Sequence, residues 1–317
     1  MAGGARRVVF MGSPDFAVPS LDALCESRRY RPALVVSQPD RPRGRGQTVS
    51  PTAVRARALE LGIPTLTMDR ATYADGVRAV TAQSPEVIVV VAFGIILRRD
   101  LLDLPAHGCV NVHASLLPRH RGVSPIQAAI LHGDAETGCT TMLIDEGVDT
   151  GDMLLQERTP VLPDDTAGTL TGRLATLGAG LLIRTLDGLF DGSVRPVVQD
   201  HALATSTKKI RKVHGAIDWS RDAVAIARQI RAMTPWPSAY TTLDGRRLII
   251  TGAVVAGGAA GAGEPGTVVS VDPLLVACGD GCIEVRGVRP EGRRAMTPRE
   301  YAAGHRLSAG ARFTTPG

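Results

Sequence analysis

The chain has 317 residues, 44% hydrophobic and 21% charged, with a formal net charge of +5. That composition suits a soluble globular protein with one large domain and a smaller one. It excludes helical membrane spans, because no apolar run approaches the roughly 20 residues needed, and it excludes a disulfide scaffold, because the five cysteines are odd in number and scattered. Arg6-Arg7 lead straight into Val8-Val9-Phe10-Met11-Gly12, too short for a signal-peptide core, so a cytoplasmic location is expected. Residues 1–200 carry a net charge of −2 and residues 201–317 carry +7. All three lysines, Lys208, Lys209 and Lys212, fall in one short stretch. A basic second part suggests a polyanionic partner, although a solubilising surface has the same composition.

Residues 8–11 read as an apolar strand ending in Gly12-Ser13-Pro14. Residues 15–27 are amphipathic, with Phe16, Leu21 and Leu24 on one helical stripe. A second strand at 33–36 leads into Gln38-Pro39-Asp40-Arg41-Pro42-Arg43-Gly44-Arg45-Gly46-Gln47, a Pro/Gly loop with three arginines suited to phosphate contact. Ser50-Pro51 reads as the N-cap and first position of a helix running to 61–62. Residues 87–91 are wholly apolar, as in a central parallel strand. Strands follow at 108–112 and 140–144, and a long helix at 166–190. This alternation predicts a Rossmann-like, doubly wound, mostly parallel sheet, with ligands beyond the carboxyl ends of its strands.

The pattern then changes. Residues 191–207 read as a linker between a catalytic domain at 1–190 and a basic domain at 208–317. A helix at 221–233 precedes alternating runs at 239–243, 246–255, 266–271, 274–278 and 282–288, which suggest a small antiparallel barrel. The Gly/Ala/Val stretch 252–263 reads as a flexible loop tip. Cys278 and Cys282 flank Gly279-Asp280-Gly281, a hairpin turn without the further ligands a zinc site needs, so no metal is expected.

Three residues carry the chemistry. Asn111 and His113 lie two apart on a strand and so share a face, which suits two donors aimed at one carbonyl oxygen. Asp149, in Asp145-Glu146-Gly147-Val148-Asp149-Thr150-Gly151-Asp152, supplies a carboxylate for proton transfer. Taken singly, these also fit a turn-stabilising amide, a satisfied core histidine and a solvated acidic turn. The acidic spacing does not fit an EF-hand. Together, the three groups suit moving an acyl or formyl group onto an amine.

The strings Phe10-Met11-Gly12-Ser13-Pro14-Asp15-Phe16, Gln38 to Pro42 with its Gly-Arg-Gly continuation, and Asn111 to Gly122 with Pro125-Ile126-Gln127 resemble the methionyl-tRNA formyltransferase family. Ile217-Asp218-Trp219-Ser220 and Pro235-Trp236-Pro237 extend the resemblance to the second domain. It implies a formyltransferase fold followed by an OB-like barrel, with Asn111, His113 and Asp149 as the catalytic trio. It implies 10-formyltetrahydrofolate as formyl donor, lying along Ser115, Leu116, Leu117 and Pro118 and the segment with Val91, Phe93, Gly94, Ile95 and Leu97. It implies initiator methionyl-tRNA as acceptor, gripped by Arg41, Arg43 and Arg45 and followed by Lys208, Lys209, Arg211 and Lys212. Gln47, Ala114, Ser206 and His214 depart from the family pattern. The residues also leave open a formyltransferase acting on another amine, a hydrolase of the same folate, and a non-catalytic RNA binder.

Overall fold

The computed structural model describes residues 5–43, 48–257 and 263–316. Two compact units divide it. The first comprises Met1–Pro125, Glu136–Pro160 and Thr171–Thr207, and the second Ile126–Ala135, Val161–Leu170 and Lys208–Gly317.

The first unit is built on a seven-stranded sheet. Its strands are β1 (Arg6–Gly12), β2 (Tyr30–Ser37), β3 (Thr65–Thr67), β4 (Val87–Val91), β5 (Cys109–His113), β6 (Glu136–Leu143) and β7 (Met153–Pro160), in the order β7-β6-β5-β4-β1-β2-β3. The five strands from β3 to β5 run parallel, while β6 is antiparallel to β5 and β7 to β6. Alternate residues of each central strand feed opposite faces. Val8, Phe10, Val87, Val89 and Val91 join Leu182 and Leu186 of the long helix Ala167–Asp191. Val9, Met11, Ile88 and Val90 join Tyr73 and Val80 of the helix Tyr73–Ala82. With both faces covered, β4 can be uninterrupted Val/Ile, and each such side chain contributes roughly 1.5–3 kcal/mol on burial. Strand order reverses between β1 and β4, which opens a crevice at their carboxyl ends. Gly12 ends β1 there, where an added Cβ would lie 2.9 Å from the Val91 carbonyl oxygen.

The second unit holds an antiparallel sheet of β8 (Ala239–Leu243), β9 (Arg246–Val255), β10 (Val268–Val271), β11 (Leu274–Ala277) and β12 (Cys282–Pro290), in the order β8-β9-β12-β11-β10. Near the C-terminus, Thr314 bridges to Thr242 on one edge and Arg312 to Thr267 beside the other, so the tail closes the sheet toward a barrel. Buried Trp219 packs on Phe313 with ring centroids 5.8 Å apart and donates its Nε1–H to Thr241 Oγ1 at 2.9 Å.

Three local expectations are corrected. The helix after the arginine loop starts at Ala53 and is capped by Thr52, whose hydroxyl accepts from the Arg55 N–H at 3.2 Å. Pro51 keeps Ser50 extended, so Ser50 instead pairs with Arg41 in a hairpin. Strand β9 runs through Val255, paired with Ile283, so the loop expected at 252–263 does not begin at Gly252. Residues 191–207 do not behave as a linker. Val197 bridges to Met153, and Ser206–Thr207 pair in parallel with Arg121–Gly122, all within the first unit.

Candidate active site

Strand β5 carries the site on its period of two. Val110 and Val112 enter the core, while Asn111 and His113 share the other face, opposite Met142 and Thr140 of β6. The Asn111 side chain is only half-buried and forms no hydrogen bond to any described residue. An amide held on a central strand and bonded to no described residue is available to a ligand. His113 is buried, with Nε2 3.0 Å from the His120 carbonyl oxygen and Nδ1 3.5 Å from Asp149 Oδ2.

Asp149 stands in a tight acidic loop after β6. Asp145 closes that loop by accepting from the Gly147 N–H at 3.0 Å and the Thr150 hydroxyl at 2.7 Å. Glu146 pairs with Arg99 at 2.7 Å. Asp145 is thus committed to the loop and Glu146 to Arg99, whereas Asp149 Oδ2 turns inward to accept from the Gly122 N–H at 2.7 Å. Gly122 has φ +101°, and an added Cβ would meet the Thr207 carbonyl oxygen at 2.9 Å. The fold thus brings His113 and Asp149 into contact and sets Asn111 on the same face as His113. Among the described residues, no group of three His, Cys, Asp or Glu side chains is placed to hold a metal ion.

The two segments expected to receive folate flank this centre. Ser115 and Leu117 are buried. The Ser115 hydroxyl donates to the Arg119 carbonyl at 2.6 Å, and the Leu117 N–H donates to Thr140 Oγ1 at 3.1 Å, so both shape the loop. Leu116 and Pro118 remain half-exposed. Beyond β4, Val91, Phe93 and Leu97 are buried, Gly94 is exposed and Ile95 half-exposed. Ile96, which sequence reasoning passed over, is 69% exposed. Apolar residues are continuous there, so no local pattern marks which one faces out.

A cleft of about 360 Å³ opens at the ends of β2 and β4, lined by Gln38, Pro39, Arg41, Asp69, Arg70, Ala71, Gly94 and Ile95. Gln38 braces it by donating from Nε2 to the Phe93 carbonyl at 2.9 Å. The N–H and hydroxyl of Thr72, the Ala71 N–H and nearby Arg41 hold the Asp69 carboxyl below its ordinary range. Arg43 lies in the hairpin, while Arg45 and Gln47 fall outside the described residues. Lys208, Lys209, Arg211 and Lys212 are all exposed in the second unit.

Residues 6–186 match the formyl transferase family model, and residues 209–306 match formyl transferase, C-terminal domain. The chain belongs to this family. A methionyl-tRNA formyltransferase from Geobacter sulfurreducens is 44% identical over 313 residues, covering 98% of each chain. One from Myxococcus xanthus is 44% identical over 306 residues, covering 96% of each. Within the family, the chain falls among the methionyl-tRNA formyltransferases. The fold is shared with HypX from Aquifex aeolicus, solved with tetrahydrofolic acid, at a TM-score of 0.65 and 13% identity over 95% of this chain and 47% of that one. Among the described residues, no helix is long and apolar enough to cross a membrane.

Proposed function

We propose that Asn111, His113 and Asp149 transfer the formyl group of 10-formyltetrahydrofolate to the free amino group of methionyl-initiator-tRNA, in the cytoplasm. The observation that carries this reading is the contact of His113 with Asp149 beside an amide that bonds no described residue. The amine lone pair attacks the formyl carbon and a tetrahedral centre forms. Its oxygen takes negative charge, to which Asn111 donates a hydrogen bond. The His113 Nε2–H rests on the His120 carbonyl, and an oxyanion is a stronger acceptor than that neutral oxygen. The same N–H therefore turns to the substrate as charge develops. Asp149 accepts the proton the amine loses, directly or through one water, with His113 Nδ1 beside it. The oxyanion's electron pair then re-forms the carbonyl, the bond from the formyl carbon to folate N10 breaks, and N10 takes the proton that Asp149 received.

Half-exposed Ile95, Leu116 and Pro118 and exposed Ile96 would line the folate, with Val91, Phe93 and Leu97 backing them and Ser115 and Leu117 shaping the loop. The cationic cleft with Arg41 and Arg70 would receive the end of the acceptor strand. Arg43, Arg45 and the cluster Lys208, Lys209, Arg211 and Lys212 would follow the RNA backbone. Incubation with donor labelled in the formyl group and charged initiator tRNA tests the reading. Label should reach the aminoacyl group. His113→Ala and Asp149→Ala should each lower turnover at least about 100-fold while leaving tRNA binding nearly intact. Label in free formate would indicate a hydrolase, and wild-type turnover in either variant would remove that residue from the chemistry.

A further inference from the structure

Asp149 is held in an unusual way. Its φ is +53°, in the left-handed region that few residues other than glycine, asparagine and aspartate enter. Such a conformation persists where the surroundings over-determine it. The constraint comes from Gln199, a side chain only 2% exposed. Its Nε2 donates to the Asp149 carbonyl at 2.9 Å and to the Gly151 carbonyl at 2.7 Å. Its Oε1 accepts twice from Arg121, from Nε at 3.1 Å and from Nη2 at 2.7 Å. Arg121 is itself 8% exposed, and its Nη2 also reaches His201 Nδ1 at 3.2 Å. A guanidinium has only donors, so it dictates which end of the amide faces it and turns both amide hydrogens toward the Asp149 loop. The next residue along the chain, Gly122, donates its N–H to the Asp149 carboxylate at 2.7 Å. One dipeptide, Arg121-Gly122, therefore holds Asp149 twice: through the carboxylate directly, and through the backbone by way of Gln199.

We infer that Gln199, locked by Arg121, is a positioning residue that sets where the Asp149 carboxylate stands. The inference rests on the assignment of Asp149 to proton transfer. Without the amide hydrogens, the Asp149 and Gly151 carbonyls lose their shared anchor and the carboxylate moves relative to His113 and the amine. A displacement of about 1 Å at a reacting group costs on the order of 100-fold in rate.

Gln199→Glu separates positioning from packing. The new carboxylate keeps its acceptor oxygen on Arg121 and adds an ion pair, but it presents oxygen instead of N–H to two carbonyls. Gln199→Met is the second variant should Gln199→Glu fail to fold, since it keeps the volume without any donor. Single-turnover formyl transfer, KM for both substrates and the melting curve are read together. Expected is a 10- to 100-fold fall in kcat, with both KM values within about threefold of wild type and a single cooperative melt. The same change is then made in an Asp149→Ala background, where no further loss is expected because the group being positioned is gone. A kcat within threefold of wild type in the folded variant overturns the inference. So does a loss that recurs at full size in the Asp149→Ala background. Wild-type turnover in Asp149→Ala alone would instead sink the assignment of Asp149, and the clamp with it.

Discussion

Replacing Asn111 by alanine should separate catalysis from stability more cleanly than any other change at this site. The Asn111 backbone is fixed by Val90 on one side and Met142 on the other, and neither pairing involves the side chain. The carboxamide is half-buried and bonds no described residue, so truncation orphans no partner. The stability change should stay within about 1 kcal/mol, as for substitutions outside packed or bonded positions. The same truncation removes a donor from the developing oxyanion, a loss of about 100- to 1000-fold in kcat, or roughly 2.7–4 kcal/mol of barrier. Asn111→Asp should be worse than alanine, because it places a carboxylate against the oxyanion. Single-turnover transfer at saturating donor and charged tRNA measures the first quantity, and urea unfolding measures the second. A kcat within fivefold of wild type would refute the reasoning. So would a drop of 2 kcal/mol or more in unfolding free energy, which would make the amide a structural group.

Replacing Lys208, Lys209 and Lys212 together by alanine should weaken tRNA binding and flatten the plot of log K against log salt by about 2, at roughly 0.7–0.9 per lost phosphate contact; an unchanged slope would take those lysines off the RNA. Burial pushes the Cys109, Cys139 and Cys278 thiols up to about 12, and half-buried Cys25 is raised as well. N-ethylmaleimide at pH 7.5 should therefore modify Cys25 slowly and leave those three intact until the chain unfolds, as read by peptide mass spectrometry. Burial works against the charged form of Glu86, but the Arg7 N–H and the Arg6 guanidinium win and hold its carboxyl below the ordinary range. A depressed carboxyl stabilises the fold above its ordinary range, and that contribution is lost as pH falls through the folded value. Glu86→Gln should thus lower stability by only about 0.5–1 kcal/mol at pH 7, since the pair is partly exposed, and the gap should close as the solution is made acid. A gap that widens in acid would reverse the sign of the argument.

The central strands were legible because two-sided burial leaves a plain mark. Five consecutive Val/Ile residues at 87–91 have no better place than a covered parallel sheet. Strand β7 left a fainter one. In Met-Leu-Leu-Gln-Glu-Arg-Thr-Pro only Leu154 is buried, the remaining residues being half-exposed or exposed, as at a sheet edge. Its mostly polar residues carry no strand signal, and its pairing with β6 is set by tertiary contact. The helix Tyr73–Ala82 was passed over for a related reason: a glycine stands in its middle, where Gly76 packs against Met68. Propensity argued against a helix that packing favours.

At the site, what could be read was whatever follows from local periodicity. Asn111 and His113 share a face because they lie two apart on a strand, and no fold is needed to know it. Bringing in Asp149 took a motif. What lay beyond both was the support behind them. Gln199 sits in a stretch with no hydrophobic period, 78 residues from Arg121 and 50 from Asp149. Its value comes from three chain segments meeting at one amide, which no local pattern encodes. The same holds for Asp145 and Glu146. In the sequence they are indistinguishable from Asp149 as members of one acidic run, and only the fold divides them into one that closes a loop, one that pairs with Arg99 and one that faces a histidine. Residue type limits the chemistry a position can perform, and the hydrogen bonds each group has already spent decide which positions remain free to perform it.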